Sequence, residues 1–346
     1  MSELAEIALA HQLERLRLAN KLTEKLARQW RKVDYGNIAA TVAAVSAPMM
    51  QLTVSAQEAA ARQSADFMAA VDDYYGIQSS AQINPEAFAG MNGAGLGLDS
   101  AALYSSQIMF DEIAKGAGPA AVLGAGLNFV SATSRTAVLD MGRQADRVQM
   151  FARPQYKNWV RQIGPGACSR CIQLAGIASW QKAFLRHPNC HCIAVPAAES
   201  FDGAIETSPR AYFDQLSKAE QDRRFTKAGA EAIREGGADI GRVVNARRGA
   251  LGIKYGPRIL PGTSPRDLGS IGRTILPRNI GTSDQPIWVY ETVELTGKRA
   301  RKTYTYGSLD RRLPKGTRLM PETIVKLARG DRARLIELLN HYGYLA

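Results

Sequence analysis

The chain has 346 residues, 45% of them hydrophobic and 22% charged, enough apolar material for a sizeable core, which excludes a wholly disordered protein. Lys and Arg number 44 against 32 Asp and Glu, a formal net charge of +12. No run of eighteen or more apolar residues stands in the sequence, so no membrane partner is expected. The opening MSELAEIALAHQLERL lacks the apolar segment of a signal peptide.

The N-terminal half reads as helical. Over residues 2–33, Leu9, Leu13, Leu16, then Leu18, Leu22, Leu26, Trp30 and Val33 recur at three- and four-residue steps, an amphipathic helix. Its polar face carries Arg15, Lys21, Lys25, Arg28, Arg31 and Lys32. The capping box Ser55-Ala56-Gln57-Glu58 predicts a second helix running to Tyr75 and stopped by Gly76. Asn84-Pro85 predicts a short helix. The run Gly90–Gly97 is a connector, since no Lys-Ser/Thr follows and no strand precedes it. Asp99 caps a helix to about Lys115, and Pro119 starts one reaching about Arg153, with Arg135, Arg143 and Arg147 on it. His11 and, at the other end of the chain, His341 are expected to be surface or half-buried residues.

All four cysteines then fall in one 25-residue window, Cys168-Ser169-Arg170-Cys171 and His187-Pro188-Asn189-Cys190-His191-Cys192. Buried structural thiols have no reason to cluster, whereas two groups of soft donors separated by a loop suit a tetrahedral zinc ion. Five donors, Cys168, Cys171, His187, Cys190 and Cys192, compete for four positions. Cys190 and Cys192 share a side on an extended segment. The reading favours Cys168, Cys171 and Cys192, with His187 and Cys190 disputing the fourth place. Disulfide or redox chemistry, or a Cys190 nucleophile paired with His187 or His191, are the alternatives. Because the donors can close all four positions, the zinc is expected to be structural.

Thr207-Ser208-Pro209 opens a helix from Arg210 to about Arg224, with Tyr212, Phe213 and Leu216 as its apolar face, and another spans Lys227–Arg234. From Arg242 to Arg318 there are 16 Lys/Arg and 5 Asp/Glu, a net +11 that holds almost the whole excess charge. Such a stretch can neutralise phosphates, dock on an acidic surface or remain a solvated loop. Within it, Ile287–Val293 is the one credible strand, with Arg301–Tyr306 pairing across Thr296-Gly297. Two short helices, Pro321–Arg329 and Asp331–Tyr342, close the chain. The expected fold is mainly α: a helical domain (1–155), a small zinc-binding module (156–200), a helical pair completing the core (201–241), a basic loop-rich arm with at most a two-strand ribbon (242–318), and C-terminal helices (319–346).

The run Gly166-Ala167-Cys168-Ser169-Arg170-Cys171-Ile172-Gln173-Leu174-Ala175-Gly176, followed by Phe184-Leu185-Arg186-His187-Pro188-Asn189-Cys190-His191-Cys192, resembles the signature of phage Mu F-like minor head proteins, in the form found in tailed phages of actinobacteria. Ser208–Phe213, Ala228–Arg234 with Val243–Gly249, and Arg318–Ile324 agree with it. The resemblance covers residues 120–250 well, the C-terminal end moderately, and the first hundred residues only as a similar helical layout. It implies a minor capsid or head-morphogenesis protein, present in few copies at the portal vertex inside the head and in the host cytoplasm during assembly. The implied partners are the portal, other capsid or scaffold proteins, and packaged DNA reached through residues 242–318, with a part in DNA packaging or ejection. Some relatives carry a capsid maturation protease label. No Ser-His-Asp order is visible and only four histidines are present, so no catalytic residue is expected here. A maturation protease and a sequence-independent DNA-binding protein are the alternative functions.

Overall fold

A computed structural model describes residues 2–79, 82–92, 98, 100–246, 328–329 and 331–341, together with strands within 259–319. These fall into two units, 1–211 and 212–346.

The first unit is a helical bundle with a small sheet at one end. Helix α1 spans Glu3–Trp30, capped by Ser2, whose hydroxyl accepts from Ala5 N. Helix α2 runs Ile38–Tyr74, α3 Ser100–Ala114 and α4 Pro119–Phe151. The capping box at Ser55 therefore starts nothing: α2 has begun seventeen residues earlier, after Asn37, and Ser55 lies mid-helix. Ala, Val and Met fill 38–54 and carry the helix through Pro48. Asn84 does cap a single 3-10 turn, Pro85–Phe88. The expected Asp99 cap and most of the Gly90–Gly97 connector lie outside the described residues.

Among the described residues, α2 is the one helix long and apolar enough to cross a membrane. The sequence reading missed this because Thr41, Ser46 and Gln51 interrupt the apolar run without adding charge. Its Val42, Val45 and Met49 belong to the bundle core.

Among the described residues of this unit, two apolar clusters stand out. One joins Leu22, Leu26 and Trp30 of α1 to Val42, Val45 and Met49 of α2 and Val122, Val130 and Val138 of α4. The other joins Leu4 and Ala8 to Phe67, Met68 and Val71, Met150, and the sheet residues Trp159, Val160 and Ile193–Val195. Between them along α1 lie His11, Gln12 and Arg15, all buried. This corrects two expectations. Arg15 is 1% exposed rather than on a polar face, and His11 is 5% exposed rather than near the surface. The face that enters the core is Leu4-Ala8-Ala19-Leu22-Leu26, while Leu9, Leu13 and Leu16 are only half-buried. Gly142 on α4 makes room for Arg15, since a Cβ there would stand 2.6 Å from Arg15 Nε.

The sheet is antiparallel, in the order β2-β1-β3, with β1 Asn158–Gln162, β2 Ile177–Ser179 and β3 Ile193–Ala197. Central β1 pairs Val160 with both Ile177 and Val195. A one-turn helix α5, Ser169–Ile172, follows β1.

Helix α6, Pro209–Gln215, and α7, Lys218–Phe225, replace the single helix expected over 210–224. Ser217 breaks it: its hydroxyl caps α7 by accepting from Glu220 N, a capping box within the apparent run. In the second unit α7 precedes α8, Lys227–Arg234, and α9, Ile240–Ala246. Phe213 meets Phe225 edge-on at 5.1 Å, and Arg234 binds Gln221 and Asp222. Among its described residues the basic segment holds more than a two-strand ribbon. Strands β5 Arg273–Asn279, β6 Trp288–Thr296 and β7 Lys298–Thr305 form an antiparallel sheet, and β4 Ile259–Pro261 pairs with β8 Thr317–Leu319. The β6–β7 hairpin turns where the sequence placed it, at Thr296↔Lys298. The third strand went unseen because of Pro277, which a sheet tolerates only at an edge, and β5 is the edge. Helix α10, Arg332–His341, matches the last expected helix. The helix expected over 321–329 falls almost wholly outside the described residues.

Candidate metal centre

The knuckle is built from the backbone up. After β1, Ala167 N donates to Gly164 O, and Gly166 takes φ +72, which a side chain would resist. Cys168 is the extended N-cap of α5, and Cys171 N and Ile172 N both donate back to Cys168 O. That single turn points two sulfurs the same way, 3.9 Å apart.

The second element is a tight turn over His187–Cys190, closed by Cys190 N donating to His187 O at 3.1 Å. Asn189 sits at φ +58, a conformation asparagine tolerates better than most residues. His187 Nδ1 lies 2.7 Å from Pro188 O. Since a carbonyl can only accept, Nδ1 carries the proton and Nε2 presents its lone pair. That Nε2 stands 3.2 Å from Cys168 Sγ and 3.4 Å from Cys171 Sγ. A backbone carbonyl holding the far ring nitrogen of a histidine is the usual outer support of a metal ligand. Cys171 Sγ is also 3.6 Å from Cys190 Sγ.

All five expected donors thus come together, in two groups sharing Cys171. Cys168, Cys171 and His187 lie within 4.8 Å of one another, as do Cys171, Cys190 and Cys192. Cys168 is half-buried and the other three thiols are buried, all unbridged. They can hold a metal ion. A proton shared with Cys171 pulls the Cys168 thiol down to about 5, against the opposing effect of burial. Hydrogen bonding with Cys171 and Cys192, with Arg143 nearby, holds Cys190 far below the ordinary thiol range. Cys171 is pushed up, first by Cys168 and Cys190, as the group that keeps a proton between two ionised neighbours. Adjacent thiolates repel; a divalent cation is what lets all of them ionise.

His191, offered above as a partner for a Cys190 nucleophile, is turned elsewhere. Its Nε2 is 3.2 Å from Arg135 Nη2, and its carbonyl accepts from Gln12 Nε2 at 2.6 Å. Burial and then the Arg135 charge lower its basicity.

Sequence reasoning missed the residues that clasp the donor loop to the bundle. Arg143 Nη1 donates to Cys190 O at 2.9 Å and Cys192 O at 3.4 Å, while its Nη2 binds Asp140. Asp140 also pairs with Arg186 at 2.5 Å. Thr136 Oγ1 accepts from Asn189 N at 3.1 Å. Arg161 donates to Leu185 O at 2.7 Å and stacks on the Phe184 ring at 3.8 Å. An Asp and an Arg three residues apart on α4, Asp140 and Arg143, were the available signal.

No protein-family model, no curated protein and no solved structure matches this chain.

Proposed function

We propose that the cysteine cluster binds zinc and that the chain is a minor capsid protein of the Mu F-like kind, acting in head morphogenesis at the portal. The observation that carries the zinc reading is the preset His187 tautomer aimed at two cysteine sulfurs. Thiolate and imidazole donors in tetrahedral reach favour zinc over harder cations. The ion acts as a rivet: its ligands come from α5 and the loop before β3, and that loop is fastened to α1 and α4 by Gln12, Thr136 and Arg143. A role at the portal rests on the sequence signature around these same residues. We assign His187, the imidazole beside Cys168 and Cys171, as a ligand and not as a base, so no enzymatic activity is proposed.

Residues 242–318 support a second role, sequence-independent contact with packaged DNA. Strand β7 alone carries Lys298, Arg299, Arg301 and Lys302. Phosphate contacts of this kind position a protein without reading sequence.

The test is co-sedimentation with portal or capsid particles assembled in the same cells, with zinc measured in the purified chain. One zinc per chain and association with particles are expected. A metal-free chain that folds and assembles normally overturns the proposal.

A further inference from the structure

We infer that the free edge of strand β2, with the aromatic and basic side chains around it, docks an acidic, extended segment of another protein as a further strand. The surface lies in the first unit and does not depend on the zinc reading.

The backbone comes first. β2 is an outer strand of the β2-β1-β3 sheet, and its register sets Ile177 opposite Val160 and Ser179 opposite Asn158. Arg161 N donates to Gly176 O, and Trp180 N donates to Lys157 O at 3.0 Å. Hydrogen-bonded pairs alternate along an antiparallel ladder, so Gly176, Ala178 and Trp180 are the residues that bond to β1. Ile177 and Ser179, between them, turn their N–H and C=O groups away from it. Ser179 O is taken by Lys182 N at 2.9 Å. Ile177 is 52% exposed, and among the described residues nothing takes its N–H or its C=O. β3, on the other side of β1, is buried along its whole length, so β2 is the edge that remains open. An open row of this kind is a template for another strand.

Apolar side chains flank the edge on both faces. Side chains alternate along β2, so Ile177 stands on one face and Trp180 on the other. Trp180, 42% exposed, meets the 46% exposed ring of Phe151 edge-on at 5.7 Å. An added strand alternates in the same way, and its successive side chains would meet Ile177 on one face and the Trp180–Phe151 pair on the other.

Charge selects the occupant. From Arg147 to Ala198 the sequence holds seven Lys or Arg and no Asp or Glu. Arg153 is matched by Asp72 and Arg186 by Asp140. Arg147, Lys157 and Lys182 have no acidic partner among the described residues, and all three border the edge. The Arg147 guanidinium lies 5.1 Å over the Phe151 ring, with its Nε buried and without a hydrogen-bond partner. Lys157 and Lys182 bond through their backbones to Trp180 and Ser179. A second copy of this surface would set cation against cation. Phosphates, whether of nucleic acid or of lipid, carry no donor for the Ile177 carbonyl. An extended polypeptide bearing carboxylates and apolar side chains satisfies the backbone, the rings and the cations together.

The test uses the intact chain and a short, fluorescein-labelled peptide of alternating valine and glutamate, read by anisotropy. Saturable binding is expected. Methylating the amides along one edge of the peptide should weaken it about tenfold or more, the cost of backbone hydrogen bonds left unmade. The same peptide with lysine for glutamate should not bind. Lys157→Glu with Lys182→Glu, both at exposed positions, should melt as wild type does, lose the glutamate peptide and gain the lysine peptide. Absence of binding overturns the proposal, as does a methylated peptide that binds as tightly as its parent. Oligothymidylate or phosphatidylserine vesicles that bind more tightly than the peptide, and lose that binding in the charge-reversed variant, would make this a phosphate surface and overturn it too.

Discussion

Two of the polar constructions that hold the first unit together use opposite means. At the waist between its apolar clusters, Arg15 binds Asp146 at 2.5 Å, and His11 Nε2 approaches the same carboxylate at 3.2 Å. The His11 ring lies flat against Phe67, 4.1 Å between centroids. Here full charges are buried and neutralise one another, joining α1 to α4. At the cysteine centre, a few residues away along α4, charged residues such as Arg143, Asp140 and Arg186 only hold the surrounding loop, and the donors themselves are thiols and an imidazole. The waist completes itself on folding. The proposed metal centre would need an ion from outside, so its contribution would depend on metal supply and the waist's does not.

The largest expected effect follows from that difference. Structural zinc in small domains binds with about 10–16 kcal/mol of apparent free energy at pH 7, comparable to the whole stability of a domain. Chelation, or Cys171→Ser at the donor shared by both groups, should lower the melting temperature by more than about 10 °C, since for this size 1 kcal/mol is worth roughly 2–4 °C. Calorimetry with and without chelator checks this, and an unchanged melt would leave the centre without a folding role.

Next comes the waist. Asp146→Ala strands the Arg15 guanidinium in the core and should cost about 3–5 kcal/mol. The double change Arg15→Met with Asp146→Leu should recover most of that, because buried ion pairs often exchange for apolar pairs without loss. Denaturant unfolding of the two variants sharpens the comparison: the waist has an apolar substitute and the centre has none.

These two constructions also differ in how visible they were in the sequence. Metal donors must converge through short loops, so the C-x-x-C and H-x-x-C spacings showed the centre directly. The waist joins residues 131 and 135 positions apart, and nothing local marks His11, Arg15 and Asp146 as partners. Counting leucines found the buried Leu22, Leu26, Trp30 and Val33 but turned the first half of α1 the wrong way, because the buried face there is made of Ala8 and Ala19 flanking the charged layer. In the second unit the β6–β7 hairpin was legible from alternation, while Pro277 hid the edge strand beside it.

Arg143 links the comparison, being a buried cation that serves the metal loop. Arg143→Met removes the donor to the Cys190 and Cys192 carbonyls and should weaken zinc affinity by about 10–100-fold, the usual cost of an outer-shell change. Competition with a chromophoric chelator measures it. Asp140 keeps Arg186, so global stability should fall by only about 1–3 kcal/mol, the penalty of unsatisfied buried acceptors. A variant that loses stability but holds zinc as tightly as wild type would make Arg143 part of the bundle and not of the centre.

The smallest effect is a slope against pH. Burial, then the Arg15 charge, lowers the His11 pKa, although Asp146 pulls it back up. The folded state therefore holds His11 neutral where the unfolded chain, with a pKa of about 6.5, takes up a proton. Unfolding then binds more protons, so stability falls as pH drops below about 6.5. Asp146 adds to this further down: burial raises its pKa, but Arg15 and His11 outweigh burial and hold it well below the carboxylate range. Its contribution is present above about pH 4 and is lost as acid titrates it. Ligand protonation at the proposed zinc centre would weaken binding in acid as well, so the His11 part has to be isolated by difference. His11→Gln keeps a hydrogen bond to Asp146 without a titrating ring. With zinc held saturating, its stability should decline less steeply than wild type between pH 6.5 and 5, and the two curves should run parallel above pH 7. Equal slopes throughout would mean that His11 does not titrate on unfolding, and that the acid lability belongs to the metal centre alone.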